Sequence, residues 1–291
     1  MSPVLVSVRD RDGETVAVMD GDRVHALAGR PSMLSVLDDW SSWSARLSEQ
    51  SVRGPEVDLA AASLLPPVPR PRNMYMAGAN YRDHMREMDG GEESPAPEGP
   101  FFFLRPTTTL VAHGEPIVLP DSSQVDWEAE LAVVIGRRAH RISPGQALGC
   151  VAGYTVANDI TARDRLRRGE GSPPPMRWDW LRAKGWCGTC PLGPHLVPAD
   201  QVPDPDDLAI SLTLNGAVEQ QARTSQMICS VGELIASISA VVPLVPGDVV
   251  CTGTPAGVGM GKGRFLAAGD VVAAEVEGLG RLENTVAAAA G

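Results

Sequence analysis

Residues 125–136 read VDWEAELAVVIG, and no other stretch restricts the possible fold as much. Five apolar residues, Leu131 to Ile135, run without interruption up to Gly136. The run is short, rich in β-branched side chains and stopped by glycine, which describes a strand buried on both faces. Just before it, Glu128 and Glu130 flank Ala129. Side chains two positions apart share one face of a strand, so both carboxylates point the same way at the rim of a core. Such a pair repels unless something positive stands between them.

A strand of that kind needs layers on either side, and the rest of the chain supplies strands more readily than long helices. Strands are expected at 110–112, 116–119, 130–136, 150–157, 209–214, 248–251 and 271–276. Helices are expected at 81–88 and near 231–240, the second opening on Ser230 with Glu233 three positions on, the pattern of a capping box. At the N-terminus, VLVSVRDRDGETVAVMDGDRVHAL alternates apolar and polar residues around the turn signals RDGE and DGD. The spacing of Leu34, Leu37, Trp40 and Leu47 is helical. The proline-rich PPVPRPRN at 66–73 marks the boundary between a small β-rich unit, 1–68, and a larger one, 69–291. Two long polar loops, 89–100 and 167–178, stand out, and the first has the length and composition of a mobile lid. The fold class is therefore mainly β (α+β).

Composition excludes several partners. A net charge of −11 argues against nucleic acid. No run of eighteen apolar residues occurs, so a transmembrane helix is not expected, and MSPVLVSVRDRDGE does not read as a signal peptide. The five cysteines, odd in number and widely spaced, suit free thiols, and the expected location is cytoplasmic. Cys187 and Cys190 form a C-x-x-C, but Pro191 and Gly193 follow at once and no second Cys or His pair completes a zinc site, so they read as incidental small residues.

The chemistry-bearing residues fall into three groups. A third acid, Asp159, lies just beyond the strand expected to end in GYTVA; with Glu128 and Glu130 it makes a ligand set for a hard divalent cation, Mg²⁺ or Mn²⁺. The bland alternative leaves Glu128 exposed and uses Asp159 as a helix cap. Asp126 is a fourth ligand or a supporting acceptor. On the helix at 81–88, His84 and Glu87 are i and i+3; they make either a general base with an oriented imidazole or an ordinary surface pair. Lys184, one of only two lysines, would stabilise an oxyanion or simply sit in solvent. The glycine-rich GDVVCTGTPAGVGMGKG fails as a P-loop at Ala256 and Gly263, and reads instead as a tight turn that brings backbone amides and Thr254 towards a carboxylate.

GANYRDHMREM, VDWEAELAVVIG, VAGYTVANDITARD, KGWCGTCPLGP, LNGAVEQ, SVGELIASIS and PGDVVCTGTPAGVG occur in one order over roughly residues 73–286. Taken together they resemble the fumarylacetoacetate hydrolase family, and residues 1–68 resemble the small extra domain that many members carry. The resemblance implies a rolled, mixed β-sandwich, a homodimer, and Mg²⁺ or Mn²⁺ held by Glu128, Glu130 and Asp159. It implies His84 and Glu87 as the water-activating pair on a lid helix and Lys184 as the oxyanion partner. Thr254 would hold the substrate's carboxylate or carbonyl end, with Gly253 and Tyr81 as further substrate-binding positions. The implied substrates are 1,3-dicarbonyl or 2-oxo acids.

Three positions depart from the family pattern. Leu166 stands where many hydrolytic members have glutamine, Arg105 where lysine is more usual, and Cys187 where a polar residue is common. The leading expectation is a metal-dependent hydrolase cleaving a carbon–carbon bond of an acylpyruvate- or fumarylpyruvate-like acid. A decarboxylase or enol–keto isomerase is the alternative that Leu166 favours, because neither reaction needs an attacking water. A non-catalytic binding subunit is the third.

Overall fold

The computed structural model describes residues 3–289 apart from 22, 48, 89 and 91–97, so most of the lid expected at 89–100 lies outside the described residues. The apolar run forms the strand Ala129–Ile135, in which every residue is buried. It pairs antiparallel with Val151–Asn158 on one side and Val249–Cys251 on the other. The large sheet around it has twelve strands. Continuing past Val249–Cys251, the parallel strand Met74–Gly78 and then Phe101–Leu104 complete one edge. In the other direction Cys190–Pro198 follows Val151–Asn158 and joins the N-terminal strand Val4–Asp10. That strand continues into a meander with Gly13–Asp20 and Arg23–Leu27, as the turn signals at the N-terminus predict. A second, five-stranded sheet carries Ala209–Leu214, Val271–Val276 and Gly280–Ala287.

Alternation along the central strand decides where the cores lie. Leu131, Val133 and Ile135 face the five-stranded sheet and pack with Ile210, Leu212, Val272 and Leu282. Ala132 and Val134 face the other way, into a core with Met74, Met76, Val36 and Leu37. Each fully buried aliphatic side chain contributes about 1.5–3 kcal/mol, so both faces hold this strand in place. Glu128 and Glu130 belong by parity to the second face. There they sit at the end of the strand, where the aliphatic core gives way to a cavity.

The two expected helices appear as Arg82–Met88 and Val231–Val241. Ser230 and Glu233 close the capping box: the Ser230 amide donates to Glu233 at 2.8 Å, and the Glu233 amide donates to Ser230 at 3.3 Å. The helical stretch from Met33 is broken at Asp39 into Met33–Asp38 and Trp40–Arg46. Among the described residues no helix is long and apolar enough to cross a membrane.

Candidate active site

Three acids converge at one end of the central strand. Ligand oxygens of Glu128, Glu130 and Asp159 lie within 4.8 Å of one another, and all three residues are buried. Glu130 is on the central strand, Glu128 immediately precedes it, and Asp159 follows the end of the neighbouring strand at Asn158. Backbone pairing fixes the approach, since the Asp159 amide donates to the Glu128 carbonyl at 2.9 Å and Asn158 Oδ1 accepts from the Glu128 amide at 3.0 Å. The bland alternative, an exposed Glu128, is thereby excluded.

Cations thread the acids. Lys184 Nζ lies 2.8 Å from Glu128 and 2.5 Å from Asp159. Arg163 reaches Glu128 at 2.6 Å and Asp126 at 2.9 Å. Arg105 pairs with Asp159 and donates to Thr189. Lys184 is therefore not a solvated loop cation but is buried among carboxylates.

Electrostatics divides the two glutamates. Burial works to raise Glu128, but Lys184 and Arg163 outweigh it and hold the carboxyl at about 2. Burial pushes Glu130 the other way, reinforced by the charge on Glu128 and opposed by Lys184 and the Gly253 amide. Burial also draws the Lys184 ammonium below its ordinary value, against the pull of Glu128. A second buried carboxylate that resists ionisation beside a first is short of positive charge, which a hard divalent cation held by the three acids would supply. The all-oxygen donor set fits Mg²⁺ or Mn²⁺.

The glycine-rich loop donates its amides to protein carboxylates. Gly253 donates to Glu130 at 2.8 Å, and Gly257 to both oxygens of Glu87 at 3.1 Å. Gly259 and Met260 donate to Asp126 at 2.6 and 3.0 Å. Asp126, which also accepts from Arg163 and the Trp127 amide, thus anchors this loop rather than joining the acid cluster. Thr254 lines the cavity, its hydroxyl accepting from Gln220 at 2.8 Å.

His84 also lines the cavity, with Nδ1 3.5 Å from Oε2 of Glu87. Burial works to raise the Glu87 carboxyl, but His84 and the Gly257 amide outweigh it and keep it below its ordinary value. Tyr81 is fully buried, outside the cavity lining. Gly253 acts through its amide on Glu130, also outside that lining. Cys187 is exposed and Cys190 buried, both as free thiols. Sequence reasoning missed Arg163 and Gln220. In an arginine-rich chain the first carried no signal, although it stands in the ITARD stretch; the second ends the LNGAVEQ motif. Gln220 ties the Ala129 amide to Thr254 and the Pro255 carbonyl.

The cavity beside the acids measures about 680 Å³, and its lining also includes the apolar Met85, Met88, Phe101, Phe103, Leu166, Trp178 and Trp180.

Comparison with known proteins places this architecture. The mitochondrial oxaloacetate tautomerase FAHD2A of Bos taurus is 42% identical over 235 residues, 80% of this chain and 72% of the relative. An uncharacterized protein of Archaeoglobus fulgidus is 42% identical over 233 residues, 80% of this chain and 85% of that one. Among solved structures, a putative HpcE protein from Mycobacterium smegmatis superposes with a TM-score of 0.83 at 32% identity, covering 98% of this chain and 100% of the other. The 2-hydroxyhepta-2,4-diene-1,7-dioate isomerase from Mycobacterium marinum gives 0.77 at 34% identity, covering 99% of each chain. The profile described as Fumarylacetoacetate (FAA) hydrolase C-terminal matches residues 73–287, and the chain belongs to the fumarylacetoacetate hydrolase family.

Proposed function

We propose that this chain is a divalent-metal-dependent enzyme that moves a proton on an enolisable 2-oxo acid, as an enol–keto tautomerase or double-bond isomerase. The observation that carries this reading is the meeting of Glu128, Glu130 and Asp159 within 4.8 Å, in a cavity that His84 also lines and whose wall carries apolar Leu166. A divalent ion held by these acids would supply the positive charge that makes an enolate affordable next to the substrate's carboxylate and carbonyl. Glu87, held by the Gly257 amide, lies 3.5 Å from Nδ1 of the imidazole and would orient it from that side. A proton on Nδ1 leaves Nε2 free to take and return a proton at carbon. Lys184, in contact with Glu128 and Asp159, would help offset a developing oxyanion. Leu166 keeps that wall apolar, which suits proton transfer without an attacking water.

The names of the relatives support this choice: one is an oxaloacetate tautomerase and another an isomerase of an unsaturated dioate. Hydrolytic carbon–carbon cleavage, the leading expectation from the sequence, stays as a second reading, because a His84–Glu87 pair beside the acids can activate water as well as carbon. The test is to add the protein and Mg²⁺ to freshly dissolved enolic oxaloacetate and to an acylpyruvate. The enol absorbance, carbon dioxide and product acids are then followed. Faster enol decay with the carbon skeleton intact is the expected result. Two product acids would establish the hydrolase instead, and ligand binding with no turnover would establish a binding subunit.

A further inference from the structure

Ala217–Arg223 is an edge strand of the five-stranded sheet, and Gln220 is its single buried residue. A bulge turns that side chain inward. Pairing with Ala209–Leu214 steps from Leu212 opposite Gln220 to Thr213 opposite Val218, which leaves Glu219 with no opposite residue. The glycine-rich loop lies directly on this bulge. A Cβ on Gly257 would come within 2.1 Å of the Glu219 carbonyl oxygen and 3.1 Å of the Gln220 Cα. This close approach carries Thr254 and Pro255 to the end of the Gln220 side chain.

The Gln220 amide has one orientation there. The Ala129 backbone N–H can only donate, so the side-chain atom 2.9 Å from it is Oε1. The Pro255 carbonyl can only accept, so the atom 2.8 Å from it is Nε2. Nε2 therefore also meets Thr254 Oγ1, at 2.8 Å, as a donor. Its two hydrogens serve two acceptors, and the Thr254 oxygen takes one of them. A hydroxyl that accepts at its oxygen keeps its own proton to donate. Among the described residues none accepts that proton. Thr254 lines the cavity and brings it the one hydroxyl among the described lining residues. The cations of the lining are already engaged, Lys184 by Glu128 and Asp159, Arg163 by Asp126 and Glu128.

We infer that Gln220 is a positioning residue: by donating to Thr254 Oγ1 it commits that hydroxyl to donate its proton to an anionic oxygen of the bound ligand. The inference rests on the reading of the cavity as a 2-oxo-acid site. Gln220 itself lies outside the cavity lining and acts through Thr254. The threonine becomes a donor of fixed direction, aimed where a carboxylate or enolate oxygen can accept.

Oxalate is the probe, because every one of its oxygens accepts and it does not turn over. Isothermal titration calorimetry is run on the full chain at saturating Mg²⁺, with a metal-free control. Oxalate is expected to bind only with the metal. Thr254→Val should weaken it about tenfold or more, the loss of one hydrogen bond to a charged group. Thr254→Ser, which keeps a hydroxyl, should bind it more tightly than Thr254→Val. Gln220→Met, uncharged and of similar length, should weaken oxalate about threefold or more beside Thr254, but by less than about twofold in the Thr254→Val background, where the hydroxyl it steers is gone. A glutamine that merely propped the loop would cost the same in both backgrounds. Equal losses therefore overturn the inference, and so does an unchanged Kd in Gln220→Met alone. Failure of oxalate to bind the wild-type protein with either Mg²⁺ or Mn²⁺ would instead refute the 2-oxo-acid reading, and this inference with it. Should Gln220→Met not fold, neutron diffraction from the deuterated wild-type protein with Mg²⁺ and oxalate decides. A Thr254 deuteron directed at oxalate supports the inference, and one directed at the Gln220 amide or the Pro255 carbonyl refutes it.

Discussion

The Gly253 amide donates a 2.8 Å hydrogen bond to Oε2 of Glu130, joining residues 123 positions apart. The bond stabilises the ionised form of a glutamate that burial opposes. The loop can make it because Gly253 has φ of +89°, a region that disfavours side chains. An added Cβ would come within 2.9 Å of the Asn80 Cβ and 3.0 Å of the Ala77 carbonyl oxygen. Gly253→Ala should therefore lower stability by about 1–3 kcal/mol and weaken Mg²⁺ binding together. Urea unfolding and metal titration of the same variant check both; a variant with unchanged Mg²⁺ affinity would show that the amide does not tune Glu130.

Lys184 occupies the space between acids that a divalent ion would share. Lys184→Met leaves Glu128 and Asp159 without their shared ammonium, and breaking a buried pair in this way costs about 3–5 kcal/mol. The variant should melt well below wild type without metal and regain much of the loss in Mg²⁺, a larger metal-induced shift than wild type shows. Its turnover should still fall, by about 10²–10³-fold, if the lysine offsets an oxyanion. Thermal melts across a Mg²⁺ series, with rates measured at saturating metal, separate the two roles.

His84→Ala should reduce enol–keto conversion by about 10²–10⁴-fold while leaving oxalate and Mg²⁺ affinity near wild type. His84 touches none of the three acids by hydrogen bond among the described contacts, so the acid cluster should survive. Full activity in the variant would remove it from the proton-transfer role.

Leu166→Gln puts an amide on the cavity wall where Leu166 is 8% exposed. If the apolar wall is what withholds water, the variant should release two acids from an acylpyruvate faster than wild type does. The stability cost should stay under about 2 kcal/mol, because the amide faces a cavity rather than a closed core. Chromatography of the products decides the matter.

His195 offers a pH test away from the site. Burial, with a smaller push from His113, lowers its imidazole to about 4. The folded state therefore stays neutral while the unfolded chain takes up a proton below about pH 6.5. The sign follows: stability contributed by neutral His195 is complete above pH 6.5, declines as pH falls towards 4, and is flat below. The decline is worth at most about 3 kcal/mol. His195→Gln should flatten this part of the curve, read from urea midpoints between pH 7 and 4.

The sequence was most legible where one local rule acted alone. Ser230 and Glu233 announced the helix that follows them, and the alternation of Glu128 with Glu130 announced their convergence. Strand Cys190–Pro198 went unread because Pro191, Gly193, Pro194 and Pro198 look like turn residues. Its pairing with Val151–Asn158 overrides that local chemistry, and register shifts in the ladder accommodate it. Phe101–Leu104 carries no alternation, since Phe101 and Phe103 line the cavity while Phe103 also packs on the core. In the site the acids could be read because carboxylates at strand ends are rare and costly. Arg163 could not, because its meaning lies in Asp126 and Glu128, 37 and 35 positions away in sequence.

One short loop, Gly253 to Met260, fastens acids from three separate segments: Glu130 on the central strand, Glu87 on the helix Arg82–Met88, and Asp126 on the short strand Val125–Asp126. Mild warming that frees this clasp would scatter all three while both aliphatic cores remain packed. Thermal inactivation should then run ahead of cooperative melting, with the enzyme falling silent before it unfolds.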